Sequence, residues 1–379
     1  MVILTGIYYI LMEDCAGGFL KNGCAVLYPG VRRSAADPQI FYSESAFQET
    51  VRGGRYDLFF AINGDCMDDA GVIARDLMAL KKPVVLWYVD DPFNPYAPWN
   101  ITRRLGGAAV EYEKLIVFAI DEGFVEQLKS RGYRNAFYLP HAVNPEWAAE
   151  NVPPADPPAA PITFVGNLDL DNLERFEGML AGFPEPAAKL ARSYVDARLS
   201  DYCLSWEDFA TDPVPEEVPH IARRLATIRC KIHAIELLEK LGVNVYGFED
   251  WKRVLKNPES YKGHVPYYAG LASVYRTSFL TLNLSHAQLP RGCNQRVLDV
   301  PACGGALVTD SRAAVRDLLP GLRIPMYRTP GDLVQRVREM ILDPDRWSVG
   351  RETMSGILRD RHTYEHRMKT VLNTVGRFM

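Results

Sequence analysis

The stretch Arg291-Gly-Cys-Asn-Gln-Arg-Val-Leu-Asp-Val-Pro-Ala-Cys-Gly-Gly305 decides how this chain is read. An apolar run at 279–284 precedes it, and a second one at 306–309 follows it. A strand, a glycine-containing loop, a helix over 295–302 beginning near Asn294 and a further strand make one βαβ unit. The amides and positive dipole end that open such a helix form an anion site. Gly292 lets the backbone approach a diphosphate, and Arg291 or Arg296 adds a charge-assisted contact. The plainer alternative is a helix start with a surface arginine and Asn294 as its cap.

Outward from this segment, the second half alternates in the same way. Strand signals fall at 162–165, 243–246, 279–284, 306–309 and 324–327, with helical spacing at 295–302, 313–319 and 331–342. Residues 168–241 read as a helical insertion, and the tail from Asp345 to Met379 as mostly helical. The first 140 residues alternate too. Runs at 2–7, 25–27, 58–62, 83–89, 114–119 and 136–139 are short and apolar, as strands buried on both faces should be. Between the halves lies 151–161, whose five prolines suit a stiff linker. The expected domains are 1–150, the linker 151–161, 162–360 and a terminal helix at 361–379. Ligands of open parallel sheets bind at the carboxyl ends of the strands. Two such sheets facing a cleft would bring a donor and an acceptor together for group transfer.

Composition narrows the class. The chain has 379 residues, 47% hydrophobic and 24% charged, which fits a globular protein of two domains. A formal charge of −4 gives no basic field for nucleic acid. No apolar run is long enough to cross a membrane. The apolar start lacks a basic region and runs into Glu13 and Asp14, so it reads as a buried strand rather than a leader. Seven scattered cysteines without a Cys-x-x-Cys pair predict reduced thiols and a cytoplasmic protein, with no structural zinc.

The Arg291–Gly305 segment, with Leu282-Asn-Leu-Ser285, Leu307-Val-Thr-Asp310 and His362-Thr-Tyr-Glu-His-Arg367, resembles the group 1 glycosyltransferase domain of the CgeB-like (spore maturation protein) family. Tyr246-Gly247 with Trp251, and Gly263-His-Val265 with Tyr275, fit the same pattern. Phe60-Ala-Ile-Asn-Gly64, Trp87-Tyr-Val-Asp-Asp-Pro92, Phe118 to Asp121 and Leu139-Pro-His141 resemble the amino-terminal domain often fused to such transferases. The resemblance implies a GT-B fold: two Rossmann-like α/β domains facing a cleft, with a terminal helix crossing back onto the first. It implies transfer of a sugar from a nucleotide-diphosphate sugar to an acceptor, with no cofactor and no obligatory metal, and it leans to retention at the anomeric centre. Epimerases and phosphorylases share the fold, and a non-catalytic sugar-nucleotide binder is a further alternative.

The residues and the resemblance together give donor binding at Gly166, Asn167, Gly247, Gly263, His264, Val265, Asn283, Arg291, Gly292, Cys293, Asn294 and Asp299. Arg296 is expected on the departing diphosphate, where a guanidinium meets the developing charge. Asp299 stands where the family usually has a glutamate for the ribose hydroxyls. Arg291 stands eight residues earlier, where the family usually has a second glutamate.

Other residues have two readings each. Asp90 and Asp91 follow a strand, where a carboxylate can deprotonate an acceptor hydroxyl, or Asp91 can cap the turn before Pro92. Asn63-Gly64-Asp65 and His141 are further candidates beside strand ends. Asp169-x-Asp171 opens a helix, so capping is favoured over metal binding. His362 and His366 are one helical turn apart but have no third ligand, which favours packing.

Overall fold

The computed structural model describes residues 1–6, 11–27, 31–33, 40–42, 44–149, 161–345 and 351–379. Residues 151–160 of the proline-rich stretch lie outside the described residues. The chain forms two compact units, Met1–Ala142 with His362–Met379, and Val143–Arg361.

The first unit runs β1 (Val2–Thr5), α1 (Met12–Lys21), β2 (Ala25–Leu27), β3 (Val31–Arg33), β4 (Ile40–Tyr42), α2 (Glu44–Gly53), β5 (Leu58–Ile62), α3 (Val72–Ala79), β6 (Val84–Tyr88), α4 (Ile101–Leu105), β7 (Leu115–Ala119), α5 (Glu122–Ser130) and β8 (Ala136–Tyr138). Its main sheet has the order β2-β1-β5-β6-β7-β8, with every pairing parallel. Strands β5, β6 and β7 are buried at every residue, which explains their unbroken apolar sequences.

The second unit contains α6 (Pro145–Ala149), β9 (Ile162–Val165), α7 (Leu170–Leu180), α8 (Glu185–Ser200), α9 (Trp206–Phe209), α10 (Glu217–Leu238), β10 (Val243–Tyr246), β11 (Tyr261–Gly263), α11 (Ala272–Thr277), β12 (Leu280–Asn283), α12 (Arg296–Ala302), β13 (Leu307–Asp310), α13 (Ala313–Leu318), β14 (Met326–Tyr327), α14 (Pro330–Leu342) and α15 (Arg351–Arg361). Its sheet has the order β11-β10-β9-β12-β13-β14, again all parallel. The strand order reverses direction between β9 and β12, and such a switch point is where open α/β sheets bind ligands. One apolar layer packs α10 and α14 onto the sheet through Ile235, Leu238, Leu333 and Val337. The opposite layer is built from α11, α12, α13 and α15 through Tyr275, Val297, Val315 and Leu358.

Helix α6, which the sequence places in the first domain, packs in the second unit. The Trp147 ring stacks on Tyr267 at 4.7 Å, and its Nε1 donates to the Tyr267 carbonyl at 3.1 Å. The final helix, α16 (Tyr364–Val375), packs on α1 in the first unit. There is no room for a side chain at Gly18, where a Cβ would lie 2.7 Å from the Tyr364 carbonyl. Arg367 ties this helix down, with Nε donating to the carbonyls of Pro140 at 2.9 Å and His141 at 3.1 Å.

Candidate functional site

The carboxyl ends of β11, β10 and β9 bring Gly263, Gly247 and Gly166 side by side. The Gly247 amide donates to the Gly263 carbonyl, and the Gly166 amide to the Tyr246 carbonyl, each at 2.9 Å. A Cβ on Gly166 would meet the Phe164 ring at 3.1 Å and the Arg296 Nη2 at 3.4 Å. Trp251 fastens the turn from beneath by donating Nε1 to the Gly166 carbonyl at 2.7 Å. Asn167 holds the neighbouring strand end, accepting the Phe248 amide at 3.2 Å on its Oδ1.

Two cationic side chains reach this turn. Arg296 lies over the Phe164 ring, 5.5 Å from its centre, and donates Nη1 to the Asn283 Oδ1 at 2.6 Å. It thereby spans the switch point between β9 and β12. Its Nε is buried and has no hydrogen-bond partner among the described residues. From the other side, Lys231 on α10 donates Nζ to the Asn167 carbonyl at 2.9 Å. Lys231 is 7% exposed. Burial pushes its pKa down to about 7, with Arg296 and Arg224 adding to the fall and Asp169 opposing it. Burial and the charges of Lys231, Arg224, Arg296 and Arg198 hold the His286 imidazole well below its ordinary value. The site is thus strongly cationic, and an anion relieves that repulsion.

Sequence reasoning missed Lys231, Arg224 and His286. The signal for the first two was present in α10, where two cations seven residues apart share one face of the helix. Lys231 also sits among the apolar residues Ile228, Cys230, Ala234 and Ile235 of that helix.

Several expected donor contacts are corrected. Helix α12 runs from Arg296 to Ala302, within one residue of the expected 295–302, with Gln295 as its N-cap. Within its first turn Val297 donates to the Asn294 carbonyl at 3.1 Å, and Leu298 and Asp299 donate to the Gln295 carbonyl at 2.9 and 3.1 Å. Arg296, the first residue of this helix, brings its charge to the Gly166–Asn167 turn. Asn294 is a brace, accepting the His286 amide at 3.3 Å and donating to the Leu284 carbonyl at 2.9 Å. Cys293 points into the apolar core, whereas Arg291 is exposed. Gly292 is buried. Asp299 is 1% exposed, and its two oxygens accept from the Tyr267 hydroxyl at 2.9 Å and the Gln295 Nε2 at 2.8 Å. That carboxylate is engaged within the protein rather than held open for a ribose.

Asn283 is also a scaffold residue. Its Nδ2 donates to the Thr309 hydroxyl at 2.9 Å while its Oδ1 holds Arg296. Beside it, Asp310 and Arg312 form a buried ion pair, with Nε to Oδ2 at 2.7 Å. Asp310 further accepts the amide and hydroxyl of Ser285, each at 2.9 Å. This network fixes the start of the loop that leads to Arg296.

His264 is exposed and stacks on Phe248, itself 52% exposed, with ring centres 5.1 Å apart. The pair forms an aromatic ledge beside Gly247 and Gly263. Val265 turns its side chain toward Gly270 and the core, leaving its backbone for contacts.

In the first unit, Asn63 and Asp90 meet at the ends of β5 and β6. The Asn63 Nδ2 donates to the Asp90 Oδ2 at 2.9 Å, and its Oδ1 accepts the Val89 amide at 2.9 Å. Asn63 holds a left-handed backbone, φ 53°, to do so. Asp65 is half-buried, and burial raises its carboxyl above the usual range. Asp91 is corrected to a turn residue: it is buried, and its Oδ1 accepts the Phe93 amide at 3.0 Å. His141 is buried, and its Nδ1 has no partner among the described residues. Asp169 caps α7, and Asp171 reaches Arg253 at 3.3 Å. His362 and His366 turn to Arg367 and Thr363. Among the described residues, no group of three His, Cys, Asp or Glu is arranged for a metal ion.

A family described as Glycosyl transferase-like matches residues 223–373. No curated protein matches the chain. Solved structures do. The Anabaena protein HepE in complex with UDP and glucose aligns with a TM-score of 0.56 at 11% identity, covering 100% of both chains. Sucrose-phosphate synthase from Thermosynechococcus elongatus aligns at 0.52 and 11% identity, over 99% of this chain and 98% of that one. An α,α-trehalose-phosphate synthase (UDP-forming) from Burkholderia vietnamiensis aligns at 0.51 and 13% identity, over 100% and 99%. None of these likenesses singles out the CgeB-like family. The chain has the GT-B fold, with a glycosyl transferase-like segment running from α10 into α16.

Proposed function

We propose that this protein transfers a glycosyl group from a nucleoside-diphosphate sugar to an acceptor hydroxyl, with retention and without a metal ion. The observation that carries the reading is the convergence of Arg296 and Lys231 on the Gly166–Asn167 turn. Breaking the bond between the sugar and the phosphate builds negative charge on the departing diphosphate. Donors already in place for that charge lower the barrier most, because they need no rearrangement as it forms. Arg296 is held for this role by Asn283, and its buried Nε has a donor to spare. The glycines at 166 and 247 let a phosphate approach the backbone. The Phe248–His264 ledge offers a flat apolar surface for a base.

The likeness to a fold that includes a complex with UDP and glucose, together with the glycosyl transferase-like match, supports a sugar-nucleotide donor. Asp90, oriented by Asn63, is the carboxylate we assign to the acceptor side.

The test is a panel of nucleotide sugars incubated with the protein and a pool of candidate acceptors, following release of the nucleoside diphosphate. Acceptor-dependent release that survives a chelator supports the reading. Conversion of the sugar nucleotide without acceptor favours an epimerase, and a strict need for inorganic phosphate favours a phosphorylase. Binding without turnover would leave only a sugar-nucleotide binder.

A further inference from the structure

The lysine at this turn is placed unlike its partner. Arg296 has Asn283, the Phe164 ring and the Tyr275 hydroxyl around it. Lys231 has the Asn167 carbonyl at 2.9 Å and a surrounding of cations: Arg224 from its own helix and Arg296 from α12, with His286 from the loop after β12 also close. Asp169, before α7, acts on it in the opposite sense. A carbonyl also accepts a hydrogen bond from a neutral amine, so this contact does not require the charge. A bound diphosphate does. The negative charge of the diphosphate beside the turn reverses the local field and makes the ammonium the favoured form.

We infer that a nucleoside diphosphate binds this turn together with a proton, which Lys231 takes up. The inference rests on the reading above that the Gly166–Asn167 turn holds the donor's diphosphate, and it adds the protonation step. In the proton balance, solvent supplies one proton to the Lys231 Nζ as the anion binds, and no covalent bond changes. The free lysine, at about 7, is roughly nine-tenths neutral at pH 8. Uptake at pH 8 should therefore approach one proton per ligand, and affinity should fall about tenfold per pH unit above 7 until the bound form itself deprotonates.

The experiment is calorimetry of the whole protein with UDP, GDP and ADP at pH 8, repeated in buffers of different ionisation enthalpy. The phosphate of the ligand titrates near 6, so it contributes little there. The expected result is a buffer-dependent heat equal to nearly one proton taken up. Lys231→Arg keeps a permanent charge at the position. In that variant the ligand should still bind, the uptake should vanish, and affinity should stay level between pH 7 and 9. Circular dichroism confirms its fold, and Lys231→Gln, which should lose affinity at pH 7, serves if the arginine does not fit.

Buffer-independent heats in the wild type, or uptake that persists in Lys231→Arg, would overturn the assignment to Lys231 while leaving the diphosphate site intact. Failure of all three nucleotides to bind would instead remove the site reading, and the inference with it.

Discussion

Gly247 and Gly166 lie so close across β10 and β9 that a Cβ on Gly247 would collide with the Gly166 carbonyl oxygen. The Trp251 ring stands 3.0 Å from the same point, so there is no room to swing away. Gly247→Ala should therefore push directly on the turn that carries the anion site. We expect a loss of about 1–3 kcal/mol in urea unfolding, typical of overpacking, and weaker UDP binding along with it. An alanine variant with wild-type stability and affinity would show that the two strand ends have slack.

Arg296→Ala should lower turnover about a hundredfold or more, the scale for removing one preorganised donor to a developing negative charge. Its circular dichroism spectrum should match the wild type. Asn283→Ala frees the guanidinium without removing it, so its loss in turnover should be smaller. Equal rates in Arg296→Ala and wild type would separate this arginine from the chemistry.

The buried lysine has a stability signature of its own. Its folded pKa of about 7 lies below its unfolded value of about 10.4, so the unfolded chain binds more protons between these limits. Wild-type stability should fall as pH drops from about 10.5 to 7 and level off below. Lys231→Met lacks this dependence and should become the more stable protein by a few kcal/mol at pH 7, while losing affinity for UDP. Urea midpoints across the pH range check it, and parallel curves for the two proteins would refute it.

Arg312→Met should destabilise the second unit by roughly 3–5 kcal/mol, because it leaves the Asp310 carboxylate buried without its cation. The double variant Asp310→Asn with Arg312→Met removes both charges and should recover part of the loss. Thermal melts of the three proteins test this. A double variant as unstable as the single one would assign the cost to the surrounding hydrogen bonds instead.

His141 governs the acid limb of the first unit. Burial, helped by Arg367, pushes its imidazole down to about 3, against about 6.5 in an unfolded chain. The full stability is present above pH 6.5 and is lost progressively as pH falls toward 3. His141→Gln should flatten that decline, as read from unfolding midpoints between pH 4 and 7.

Much of the fold was legible because its strands are buried on both faces. Leu58–Ile62, Val84–Tyr88 and Leu115–Ala119 are nearly pure apolar runs, and no helix period fits segments so short. Gly166 was legible as a strand-end turn, and Gly247 and Gly263 through the resemblance; the structure puts the three in one row. The roles of Asn294 and Asp299 were harder to read, because side chains that look like caps and ligands are consumed by neighbours remote in sequence, such as Leu284 and Tyr267. Lys231 was hidden for a related reason. A lysine in a long helix normally reads as solvated, and only the return of the chain 64 residues away at Asn167 shows that it is not.

The first unit is interrupted: the chain leaves it after Ala142 and re-enters at His362. Without the returning segment one flank of α1 is uncovered, whereas Val143–Arg361 is one continuous stretch. A variant ending at Arg361 should accordingly carry a protease-resistant second unit behind a first unit that proteases cut, although the first unit keeps most of its residues.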